Sequence, residues 1–160
     1  MLVATNPFLR FYTFLAKMGL VMLDDPPRII DMAGREWGEA VDGLSLSIRE
    51  LKREDSRQVA GISVVLKNSG TDAKTLTIPD WVHYFEIAGL ELTPYGRLLL
   101  DPARAKKKSE ITIGPGGANE TELPIARVYD LRGGRDYDIQ VSCLLPGGNR
   151  LRSNSITIRV

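Results

Sequence analysis

The chain has 160 residues, with 21 basic and 20 acidic side chains and a formal net charge of +1. That balance excludes recognition of nucleic acid or of an anionic membrane by long-range attraction. A single cysteine excludes an internal disulfide, and no apolar run reaches the roughly 20 residues of a membrane span.

Residues from Asn6 to about Leu23 read as an amphipathic helix. Asn6 is a good N-cap, Pro7 suits the first helical position, and Phe8, Phe11, Tyr12, Leu15 and Met18 recur at three-four spacing. With Phe14, four aromatic rings fall within the first fourteen residues, and a helix this aromatic must be covered by protein or by a membrane surface. The tandem prolines of Asp24-Asp25-Pro26-Pro27 end the helix. The match to a secretory signal is poor, because Met18–Leu23 is short and two aspartates stand where a small-residue cleavage site belongs. A start assigned upstream of the real one is the other reading of this segment. Residues 28–43 read as a linker or an irregular lead-in, with Met32, Trp37 and Val41 as its candidate anchors.

From Leu44 the apolar period becomes two, and 44–160 is expected to be a separate all-β domain. Leu44, Leu46 and Ile48 alternate with Ser45, Ser47 and Arg49. Ala60, Ile62, Val64 and Leu66 form a second row that stops at the turn signal Asn68-Ser69-Gly70. A third row runs Thr75–Ile78, is interrupted by Pro79-Asp80, and resumes through Val82–Ile87 and on to Leu90 and Leu92. Leu98–Leu100, Ile111–Ile113 and Leu123–Leu131 read as further extended pieces, divided by Gly114-Pro115-Gly116-Gly117. Tyr137–Leu144 and Leu151–Val160 form the final hairpin around Pro146-Gly147-Gly148-Asn149. Seven to eight short strands at this spacing, without helical crossovers, specify an antiparallel sandwich or barrel.

The segment Asp130–Val141 is the most specific of these. A Gly133-Gly134 turn feeds a strand with Tyr137 at its mouth and Ile139 and Val141 on its inward face. This is the pattern of a tyrosine corner, whose hydroxyl bonds back to the backbone upstream. Together with Val65–Gly70 it makes the region 44–160 resemble bacterial immunoglobulin-like and fibronectin-III-like β-sandwich domains, including adhesion-type modules and the sandwich-type proteinase inhibitors. The chain departs from antibody-type domains in lacking the cysteine pair; Ile139 stands where the second cysteine would be. The resemblance implies a non-catalytic binding or scaffolding module, with a cell-envelope or secreted location favoured over a cytoplasmic one, and it carries no catalytic residues over.

The chemistry-bearing residues agree with that expectation. Cys143 falls on the inward face and reads as a small buried hydrophobe. His83 is the only histidine, too few for an ordinary zinc site, and reads as a satisfied surface residue. No nucleophile elbow, phosphate loop or matched carboxylate pair accompanies it, so no cofactor, metal or catalytic group is expected. The candidate contacts are the aromatic group around Trp81, with His83 and Tyr95, and the basic run Arg104, Lys106, Lys107 and Lys108. Contacts would come from loops at one end of the sandwich: Asn68–Ala73, Asp101–Ser109 and the turn at Gly147-Gly148. Two alternatives use the same residues. A proteinase inhibitor would present Asp101–Arg104 or the Gly114 loop in extended form, and a carbohydrate-binding module would stack sugars on the aromatics near Trp81. The expected partner is a protein or a glycan and not nucleic acid, and membrane contact by the amino-terminal helix is not favoured.

Overall fold

The period-two segments form eight strands: β1 (Leu44–Lys52), β2 (Val59–Asn68), β3 (Lys74–Ile78), β4 (Glu86–Ala88), β5 (Ser109–Ile113), β6 (Ala118–Pro124), β7 (Asp136–Leu144) and β8 (Arg150–Arg159). The computed structural model describes residues 30–52 and 59–160; the helix expected at Asn6–Leu23 lies outside the described residues. Six strands make one curled mixed sheet in the order β4-β7-β8-β1-β2-β6, and β3 pairs with β5 in a second, two-stranded sheet. The chain is therefore mostly β, as its alternation implies. β1 and β2 pair antiparallel from Leu44–Asn68 to Lys52–Val59, and β2 pairs with β6 from Gly61–Pro124 to Lys67–Ala118. The inward rows meet in one core that joins Leu46, Ile48, Ile62, Val64 and Leu66 to Ile139, Val141, Cys143, Leu151 and Ile158. Each fully buried aliphatic here contributes about 1.5–3 kcal/mol relative to exposure.

The two halves of this sheet join at a single place. β1 and β8 run parallel and share one ladder pair, Leu46 with Ser153. Beyond it the side chain of Asn154 replaces main chain: its Oδ1 accepts from the Ile48 N–H at 2.8 Å and its Nδ2 donates to the Ile48 carbonyl at 3.2 Å. Ser153 does the same on the other side of β8, where its Oγ accepts from the Val141 N–H at 2.9 Å. The β7–β8 register shifts between Gln140 and Ser142, and Gln140 Nε2 donates to the Ser153 carbonyl at 2.9 Å. This bulge bends β8, and three side-chain amides and hydroxyls satisfy the backbone groups that the bend would leave unpaired.

The irregular segment before β1 is packed against the sheet. Ser45, Ser47 and Ser63 lie on the face of the sheet opposite the aliphatic core, yet they are buried. Ser47 Oγ donates to the Glu36 carbonyl at 2.6 Å, and the Gly38 N–H donates to the Leu46 carbonyl at 2.9 Å. Arg35, with a fully buried side chain, reaches Ser63 Oγ at 2.8 Å and Glu120 Oε1 at 3.3 Å, while Lys67 lies over the Trp37 ring at 5.5 Å. A Cβ on Gly38 would sit 1.9 Å from the Arg152 carbonyl oxygen, so only glycine lets this strap cross β8.

Three connections depart from the extended reading. Trp81–Tyr84 is one turn of helix (α1), capped by Asp80, whose carboxylate accepts from the His83 N–H. The extended row expected to resume at Val82 is lost in that turn. Pro94–Leu99 is a helix (α2) in which Thr93 caps and Pro94 takes the first position, so Leu98–Leu100 is not extended. A Cβ on Gly96 would meet the Val128 carbonyl oxygen at 2.0 Å, which presses α2 onto the chain after β6. The run expected through Leu131 ends at Pro124 and folds into a turn closed by the Tyr129 N–H on the Ile125 carbonyl at 3.0 Å. Leu92 keeps only an isolated bridge to Tyr129.

Tyr137 stands at the start of β7, half-buried and packed against the core. Its hydroxyl accepts from the Arg132 N–H, five residues upstream, at 2.8 Å. Ile139 and Val141 follow at 1% and 0% exposure, so the strand turns its alternate residues fully inward.

Two substitutions test these connections. Asn154→Leu removes both partners of Ile48 and is expected to lower unfolding free energy by roughly 1–3 kcal/mol in urea titrations. Tyr137→Phe keeps the ring and loses one hydrogen bond, with an expected cost of about 1 kcal/mol in the same titration.

Candidate functional site

A groove of about 770 Å³ opens among the described residues. Its floor is aliphatic: Val82 from α1, Ile87 from β4, then Leu90, Leu92 and Leu100 from the segment that leads into and out of α2, with Tyr129 behind. These five aliphatics are half-buried and pack on the core from its outside, so part of each faces the groove. A volume of this size falls in the range of roughly 300–1,000 Å³ that holds small organic ligands.

The rim is polar and mostly basic. Lys106, Lys107 and Lys108 enter from the loop before β5, and His83 enters from α1. Glu86 is the one acid in the lining, and Arg150 holds it at 2.6 Å while also reaching Ser142 Oγ at 3.0 Å. Among the described residues no ion pair involves the three lysines. Their aliphatic stems can lie along the floor with the ammonium groups in water, which leaves the mouth net positive.

Asp80 positions both parts of the rim. One oxygen accepts from the His83 N–H at 2.9 Å and from His83 Nδ1 at 2.7 Å; the other accepts from the Lys106 N–H at 3.3 Å. Burial opposes ionisation of this carboxyl, but the two backbone bonds and the imidazole outweigh it and hold Asp80 below the usual carboxylate range. His83, expected at the surface, has only 12% of its side chain exposed. Its Nδ1 is turned to Asp80, and Nε2 is buried without a hydrogen-bond partner among the described residues. An aspartate–imidazole pair is half of a nucleophile-activating unit, but the groove lining contains no serine, threonine or cysteine.

Of the residues singled out in the sequence, the fold brings His83, Lys106, Lys107 and Lys108 together on the rim. Trp81, Tyr95 and Arg104 stay outside it. Trp81 stacks on Phe85 at 5.4 Å and 11° and meets Tyr84 edge-on at 5.9 Å, so one ring face is already occupied. Tyr95 is not part of that cluster; it lies on α2 at 54% exposure. Arg104 ends a 3₁₀ turn (Pro102–Arg104) capped by Asp101, whose carboxylate accepts from the Ala103 N–H at 3.0 Å. Asp101–Arg104 is thus a helical turn and not the extended strand that a protease cleft receives. The floor residues are expected from the sequence only as strand positions; the signal for a groove is the cluster of aliphatics between Ile87 and Leu100 with no partner row of their own.

Cys143 is buried at 1% exposure. Burial pushes its thiol up to about 11, and the thiol stays protonated and inert at neutral pH. Burial also raises the Tyr84 phenol, with the thiol as a second cause, and the Tyr84 hydroxyl donates to the Leu144 carbonyl at 3.0 Å. Among the described residues no group of three or more histidine, cysteine and carboxylate side chains is placed to hold a metal ion, and no helix is long and apolar enough to cross a membrane. Comparison with protein-family models, with curated proteins and with solved structures finds no match to this chain.

Two measurements follow from these environments. Cys143 is expected to resist a thiol reagent in the native protein and to react fully in denaturant, read by absorbance of the released thiolate. Asp80, depressed when folded, stabilises the protein above its unfolded value near about 3.9 and loses that contribution as pH falls through the lower folded value. The urea midpoint of the wild type should therefore drop below about pH 4, with a shallower drop in Asp80→Asn.

Proposed function

We propose that this protein is a non-catalytic binding module of immunoglobulin-like build, and that it makes its contact through the groove between α1, β4 and the Leu90–Lys108 segment. The strand pairing supports the immunoglobulin-like reading. Its second strand pairs with β6, its last two strands form a hairpin, β4 pairs on the outside of that hairpin, and the first strand is shared between the two halves. The Tyr137 hydroxyl on the Arg132 backbone supports it independently.

The observation that carries the binding reading is the pairing of an aliphatic floor with a basic rim in one ligand-sized concavity. The contact surface is then the side of the β4 edge, with the Lys106–Lys108 loop contributing and the Asn68–Ala73 and Gly147-Gly148 loops uninvolved. The inhibitor reading has less support, because Asp101–Arg104 is a capped 3₁₀ turn. The sugar-binding reading has less support, because the Trp81 ring is stacked on Phe85.

Anilinonaphthalene sulfonate, an anionic apolar probe, tests the groove directly. The native full-length chain is expected to bind one probe per molecule with unchanged near-ultraviolet dichroism. Leu92→Glu on the floor should abolish that binding, whereas Ser69→Glu and Asn149→Asp on the end loops should not. Native protein that takes up no probe would remove the groove as the contact surface.

A further inference from the structure

The groove narrows the class of ligand further, on the premise that it is the contact surface. Its two chemistries are segregated. The floor presents Val82, Ile87, Leu90, Leu92 and Leu100, and the cations sit together on one contiguous stretch, Lys106–Lys108, with the single lining acid, Glu86, neutralised by Arg150. A ligand complementary to this has one anionic end and one apolar body.

Three ligand classes meet part of that description. A peptide strand would bring a donor and an acceptor per residue into an aliphatic floor that cannot satisfy them. The β4 edge beside the groove has three residues, which leaves little room for strand addition there. A membrane surface is attracted by many spread cations, whereas this chain has a net charge of +1 and gathers three lysines around a concavity. A flexible alkyl chain has no polar groups to satisfy along its length and only one charged end.

We propose that the groove binds a free single-chain carboxylate amphiphile, a medium- to long-chain alkanoate. Its chain lies on Val82, Ile87, Leu90, Leu92 and Leu100, and its carboxylate meets the ammonium groups of Lys106–Lys108. Asp80 acts as a positioning residue, because it fixes the backbone of Lys106 against α1. No bond is made or broken.

Displacement of anilinonaphthalene sulfonate from the full-length chain by octanoate, decanoate and dodecanoate, each kept monomeric, tests this. Affinity is expected to rise about fourfold per added methylene until the groove is filled. Decanol and decyltrimethylammonium should bind more weakly than decanoate. Replacing Lys106, Lys107 and Lys108 together by serine should weaken decanoate about tenfold, from up to three exposed ion pairs, and weaken decanol much less. These lysines are on a loop, so the variant is expected to keep its urea midpoint. The proposal is overturned if decanoate binds no better than decanol, if chain length has no effect, or if the serine variant binds decanoate like the wild type. It is equally overturned if an acidic peptide or an anionic vesicle displaces the probe while monomeric decanoate does not; in that case the groove stays a binding surface for a different ligand. Failure of the probe itself to bind would remove both readings at once.

Discussion

The architecture depends on β1 being shared by two partners of opposite direction. On one side it runs antiparallel to β2 over its whole length; on the other it meets β8 in parallel through one ladder pair and the two hydrogen bonds of the Asn154 amide. Without that junction the six strands would separate into β6-β2-β1 and β4-β7-β8, and the inward rows around Leu46 and Ile139 would lose each other. A regular parallel ladder would hold the junction with more bonds but would keep the sheet flatter. The bulge at Ser153-Asn154 lets β8 turn from its hairpin partner toward β1, and the side chains of Gln140, Ser153 and Asn154 keep the backbone groups satisfied while it does so.

The same device recurs at the groove. Asp80 stands where a backbone carbonyl would end a turn, and it binds α1 and the lysine loop with one carboxylate. Thr93 plays the equivalent part for α2: it caps the helix through the Gly96 N–H and donates to the Arg127 carbonyl at 2.7 Å. The groove is therefore held by short capped turns fastened to strands, and its walls have no long element of their own. That is why a segment of mixed character between β3 and β5 can present a defined apolar floor.

Alternation made the strands legible wherever one face is buried and the other is wet, as in β7 with Ile139, Val141 and Cys143. It misled between Ile78 and Leu100, where four residues of aromatic alternation cannot be told from one helical turn. The missed signal was capping chemistry: Asp80-Trp81, Thr93-Pro94 and Asp101-Pro102 each begin a turn with an oxygen-bearing side chain, and two of the three have proline in the first position. The basic run and His83 were visible as residue types, but their meeting on one rim depends on the Asp80 contact to Lys106 across 26 residues. The burial of Arg35 had no local signal at all, since its partners Ser63 and Glu120 lie on β2 and β6.

The parallel junction also sets how the molecule would respond to a pull. Tension applied at the start of β1 and the end of β8 draws two codirectional strands past each other, so the Leu46–Ser153 pair and both Asn154 bonds are strained at the same moment and cannot open one by one. The hairpin of β7 and β8, by contrast, unzips from one end when its two outer ends are drawn apart. Resistance to such a pull is thus concentrated in one clasp, made of the Leu46–Ser153 pair and the Asn154 amide.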